Sequence, residues 1–125
     1  MTRAQAVPAA PSELTIQTLF RSRARIQCPA VKIVAIPNAA KRGQRAMNQA
    51  RREGACWGAP DMVAIWPRGG IAWIEFKTPD GVVRPNQREF HEVLADYGHK
   101  IAVCRSPEGA LQFLRDCGAP FEEAA

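Results

Sequence analysis

No apolar stretch in this chain approaches the ~20 residues needed to cross a bilayer, so no membrane association is expected. No CxxC pair occurs among its four cysteines, Cys28, Cys56, Cys104 and Cys117, and neither His91 nor His99 stands at a finger-like spacing from them. That spacing argues against a zinc module and against a small redox or metal-storage protein. Reduced thiols in the core of a cytoplasmic protein are expected instead. The opening MTRAQAVPAAPSE has an arginine but no apolar h-region, so it reads as a short disordered lead and not as a secretory signal. No internal repeat is present. Acidic residues are scarce early on: residues 1–55 hold ten Lys/Arg against two acids, Glu13 and Glu53, a net +8. Residues 56–125 hold seven against ten, a net −3. A front half this basic points to a polyanionic partner, with a merely solubilising face as the alternative.

What the sequence does contain is the composition of an ordinary globular domain: 125 residues, 46% hydrophobic and 23% charged. One domain is expected over 12–118, after a lead at 1–11 and before a tail at 119–125. Ser12 can cap a helix whose first turn holds Glu13 and which runs through Leu14, Ile16, Leu19, Phe20 and Ala24. The β-branched VKIVAI at 31–36 predicts a strand ended by Pro37-Asn38. Residues 42–54 predict an exposed basic helix. DMVAIW (61–66) and IAWIEFK (71–77) flank the turn PRGG and so predict an antiparallel hairpin. Pro85 opens a helix in which Phe90, Val93, Leu94 and Tyr97 form a core-facing stripe closed by Gly98. KIAVCR (100–105) predicts a strand, and Ser106-Pro107-Glu108 starts a last helix. This order gives an α/β fold, a mixed central sheet flanked by helices.

The chemistry sits in IAWIEFKTPDG, 71–81. Strand alternation puts Ile74 and Phe76 on one face and Glu75 and Lys77 together on the other. A hairpin turning at 67–70 brings Asp61 near residues 75–77. Two carboxylates and a lysine are what a metal-dependent phosphodiester hydrolase needs. The oxygens hold a hard cation, and the ammonium meets the negative charge that builds on the pentacovalent phosphate. Gly58 and Pro60 fix the backbone just before Asp61. A solvated strand face and a turn aspartate are the plainer readings of the same residues.

Gly58-x-Pro60-Asp61, then Glu75-Phe76-Lys77, then Gln87 and Gly98, resembles the signature of the VRR-NUC branch of the PD-(D/E)XK nucleases. The likeness is closest to its small stand-alone members from phages and prophages, and it spans Glu13 to about Leu114. The resemblance implies a restriction-endonuclease-like αβββαβ core and a Mg²⁺- or Mn²⁺-dependent DNA endonuclease that leaves 5′-phosphate ends. Its implied home is the cytoplasm of a bacterial or phage-infected cell. It implies that Asp61, Glu75 and the Phe76 carbonyl hold the metal and that Lys77 positions water or stabilises the transition state. It places Gln87 at the site edge, orienting Lys77 or water, and Glu13 in the metal shell, although an acid also suits a first helical turn for dipole reasons alone. Where relatives carry a Ser or Thr helix cap, this chain has Arg84-Pro85-Asn86.

For DNA the expected contacts are Asn38, Lys41, Arg42, Arg45, Arg51 and Arg52, with a turn residue or a solvated face as the alternatives. His91, four residues after Gln87, can face the site, but an exposed or packed histidine is the commoner outcome. Duplex or branched DNA is the expected substrate, and a homodimer would supply one site per strand. The rival reading is a nuclease-like module that binds nucleic acid without cutting it.

Overall fold

The computed structural model describes residues 10–37, 43–54 and 56–123. Four strands form one sheet in the order β1 (Lys32–Ala35), β2 (Met62–Trp66), β3 (Gly70–Phe76) and β4 (Ile101–Cys104). The first three make an antiparallel meander. β4 lies parallel to β3, and the crossover that parallel pairing requires is α3 (Pro85–Asp96). Among the described residues there are three further helices: α1 (Glu13–Gln27), α2 (Gln44–Arg52) and α4 (Pro107–Asp116). The mixed sheet with flanking helices is the expected α/β architecture. Among the described residues no helix is long and apolar enough to cross a membrane.

Local chemistry explains the boundaries. Ser12 accepts from the Thr15 N–H at the start of α1, and Ser106 accepts from the Gly109 N–H at the start of α4. The departure at α3 is resolved by Gln87, whose Oε1 accepts from the Arg84 N–H at 2.9 Å. The third residue of this helix thus closes its first turn in place of a capping hydroxyl.

The core occupies one face of the sheet. Met62, Ala64, Ala72, Ile74 and Phe76 meet Ile16, Phe20 and Ala24 of α1 and Ala110, Leu111 and Leu114 of α4. The Phe20 and Phe76 rings pack at 5.5 Å between centroids, and burying a side chain of that size contributes about 1.5–3 kcal/mol. An Arg23–Glu108 ion pair links α1 to α4 at the surface. The opposite face of the sheet is only partly covered: α3 packs against β4, while Val34 and Ile65 stay largely exposed.

That arrangement corrects two expectations. Of the α3 stripe only Leu94 is buried; Phe90 is half-buried, and Val93 and Tyr97 are 41% and 77% exposed. A helix resting on one strand at the sheet's edge covers a narrower line than the stripe offers. Of the cysteines, only Cys28 and Cys104 are core residues; Cys117 caps α4 and is half-buried, and Cys56 is exposed in the segment after α2. All four are free thiols, as expected.

Candidate active site

The β2–β3 register sets the site. Met62 pairs with Ile74, so Asp61, one residue before, stands opposite Glu75, one residue beyond. The Asp61 carbonyl accepts from the Ile36 N–H at 2.8 Å, and its Oδ2 accepts from the Phe76 N–H at 2.7 Å. One residue is thereby tied to both neighbouring strands. On the far side, the Lys77 N–H donates to the Cys104 carbonyl at 3.0 Å, which extends the parallel ladder through the site. The loop after Lys77 is pinned by Arg105, whose Nη1 donates to the carbonyls of Thr78 and Gly81 at 2.8 and 2.7 Å.

Gly58 joins this strand end to α3. It has φ +86°, and a Cβ there would stand 2.3 Å from the Asn86 carbonyl oxygen. The Gly58–Pro60 segment therefore lies directly against the first turn of α3, the turn that carries Gln87.

Alternation places Glu75 and Lys77 on the face away from the main core, yet both are buried, at 1% and 6% exposure. Burial pushes the Glu75 carboxyl up to about 9, with hydrogen bonding to Asp61 and repulsion from Asp61 adding to it. Lys77 pulls it down, and Glu13 on α1 adds the smallest upward push. His91 of α3 completes the cluster. Its Nε2 is 3.4 Å from Glu75 Oε1, and burial and then Lys77 lower its proton affinity. Glu75 Oε1 and His91 Nε2 are both buried without a hydrogen-bond partner.

These features fit a bound cation. Two carboxylates crowd a buried site so closely that one resists ionisation, and an oxygen there lacks any donor. A divalent ion relieves both costs. The side-chain oxygen donors at hand are those of Asp61 and Glu75, with Phe76 tied to Asp61 through its N–H. No three His, Cys, Asp or Glu side chains among the described residues are gathered tightly enough to hold an ion alone, so water would fill the remaining positions, as it commonly does for Mg²⁺.

Among the predicted site residues, Asp61, Glu75 and Lys77 come together, with Phe76 between the last two. Glu13 lies within electrostatic reach of Glu75 but not within such a ligand set. Gln87 sits on the site side of α3 one turn before His91, with its Oε1 engaged by Arg84 and no hydrogen bond to Lys77. Arg45 and Arg52 are exposed on α2, and Arg51 lies 5.7 Å above the Trp57 ring. Asn38, Lys41 and Arg42 lie outside the described residues. His91 faces the site, as its four-residue spacing from Gln87 allowed, and is not the exposed or merely packed histidine that is the commoner outcome.

The family model described as the VRR-NUC domain matches residues 12–108. Among curated proteins, none matches this chain. Of solved structures, one titled "VRR_NUC domain protein" superposes with a TM-score of 0.69 at 23% identity, covering 87% of this chain and 89% of its own. Another, titled "VRR_NUC domain", gives a TM-score of 0.59 at 23% identity, covering 83% and 94%. These two likenesses speak to the fold alone, whereas the family model takes in the strand pair, α3 and the residues just described. On that match the chain belongs to the VRR-NUC family of nuclease domains.

Proposed function

We propose that this protein is a divalent-metal-dependent DNA endonuclease of the PD-(D/E)XK type. The observation that carries the reading is the opposition of Asp61 and Glu75 across paired strands, with the buried Lys77 two residues on. Asp61, Glu75 and the Phe76 carbonyl hold the ion. When bound, Mg²⁺ or Mn²⁺ supplies Lewis acidity toward a phosphoryl oxygen and a lowered pKa for water. Lys77 places a positive charge beside Glu75, where the oxygens of the attacked phosphate would gain negative charge, and the strand ladder through Cys104 holds its backbone still. Gln87 lines the edge of this space from α3. The exposed arginines of α2 give the phosphate backbone a basic surface to follow. Cutting both strands of a duplex takes two such sites. A homodimer, with twice the chain's mass by light scattering, would provide them, and branched DNA is the substrate class that such a pair would address.

The test is a panel of labelled single strands, duplexes, flaps, forks and four-way junctions, each with Mg²⁺, Mn²⁺ or EDTA. Cleavage should require metal, and Glu75→Gln and Lys77→Met should each lower the rate on the order of 100-fold or more. Tight DNA binding with no cut under any condition would replace this reading with the non-cleaving module.

A further inference from the structure

Two polar atoms at this site face each other and satisfy nothing. Glu75 Oε1 and His91 Nε2 are both fully buried, stand 3.4 Å apart, and neither makes a hydrogen bond. A buried polar atom without a partner costs about 1–3 kcal/mol, so two such atoms aimed at one another call for a shared third partner. Their own contact does not serve, because it fails hydrogen-bond geometry. Their separation, however, suits a common ion. Two ligands about 2.1 Å from one metal stand about 3.0 Å apart at a right angle and about 3.4 Å apart at the tetrahedral angle.

His91 is also held where a ligand should be. It lies one helical turn beyond Gln87, whose Oε1 closes the first turn of α3. Gly58 packs against that same turn from the Asp61 side. The imidazole side chain is only 13% exposed. α3 is therefore a rigid mount, fixed to the strand end that carries Asp61.

We propose that His91 is a nitrogen ligand of the cation that Glu75 binds, the side chains drawing in around the ion from an arrangement in which no three such groups among the described residues are yet gathered at one point, and that it tilts the site toward divalent transition ions such as Mn²⁺ over Mg²⁺. This rests on the reading of Glu75 as a metal ligand. Its chemical basis is that Mg²⁺ demands hard oxygen donors, whereas first-row transition ions accept imidazole beside carboxylate.

The measurement is Mn²⁺ binding to the purified full chain, followed by loss of the free-ion electron paramagnetic resonance signal. Pulsed resonance then detects any directly bonded ¹⁴N. Mg²⁺ affinity is taken from competition. Wild type should show ¹⁴N coupling. His91→Phe, which keeps a ring but no nitrogen, should lose it, with Mn²⁺ affinity falling roughly tenfold or more and Mg²⁺ affinity falling less. Bound Mn²⁺ without ¹⁴N coupling in wild type would overturn the proposal, and so would an unchanged Mn²⁺-to-Mg²⁺ preference in His91→Phe. The wild-type spectrum decides even if that variant fails to fold. Glu75→Gln separates the two readings. If it abolishes Mn²⁺ binding while wild type shows no nitrogen, His91 is not a ligand and the metal site stands. A wild-type chain that binds neither ion overturns both.

Discussion

Glu75 holds a carboxyl raised from its ordinary 4.5 to about 9 inside a site it shares with Asp61. The sign of the consequence follows from linkage. A raised acid binds its proton more tightly in the folded than in the unfolded chain. That stability is fully present below about 4.5 and is lost as pH rises through about 9. The metal-free protein should therefore melt at progressively lower temperature between these limits, by about 5 °C or more. Glu75→Gln keeps the shape, cannot ionise, and should flatten the profile. A divalent cation should restore the wild-type melting temperature at the alkaline end. Calorimetry of the EDTA-treated protein across this pH range checks it, and a wild-type profile no steeper than that of Glu75→Gln would refute it. The carboxylate pair and the lysine were legible in the sequence because strand alternation is a strict period of two. The histidine was not, since a residue's place on a helix face says little until the helix is seated.

Elements were legible where a local rule fixes them. Ser12, Pro85 and Gly98 marked helix ends, PRGG marked the hairpin, and the register then carried Asp61 to Glu75 without further information. The α3 stripe misled because helical periodicity counts apolar residues, whereas burial depends on how much sheet lies beneath. Val93 and Tyr97 overhang a helix that rests on β4. Gly58 was legible as a backbone device, but its contact with α3 is a tertiary fact. The two parts of its role are separable. Gly98 has nearly the same conformation, φ +85°, but a Cβ there would meet nothing within 4 Å, so Gly98→Ala should cost only the left-handed penalty of about 1–2 kcal/mol. Gly58→Ala adds overpacking against Asn86 and should cost about 2–5 kcal/mol in all. It should also impair cleavage in the protein that remains folded, because it moves the α3 turn relative to Asp61. Denaturant unfolding of both variants decides: equal losses would mean that the Gly58 contact relaxes freely and does not brace the site.

Charge is a property of the whole molecule, and here it is unevenly placed, +8 over residues 1–55 and −3 over residues 56–125. The asymmetry was visible at once in the sequence, but which cations meet a ligand was not, because composition carries no direction. The structure exposes Arg45, Arg51 and Arg52 on α2, with Arg51 close enough to Trp57 for part of its charge to rest over the indole ring. If all three neutralise phosphates of a duplex, each releases counterions, and each contributes about 0.9 to the slope of log affinity against log salt. Replacing the three together with alanine should lower that slope by about 2–3 and weaken binding evenly across DNA sequences, since phosphate contacts position the chain without reading bases. Binding measured in EDTA from low to moderate salt keeps cleavage out of the comparison. A slope unchanged by the triple substitution would move the DNA path off α2, and Arg21 and Arg25, one turn apart on α1, would be the next pair to neutralise.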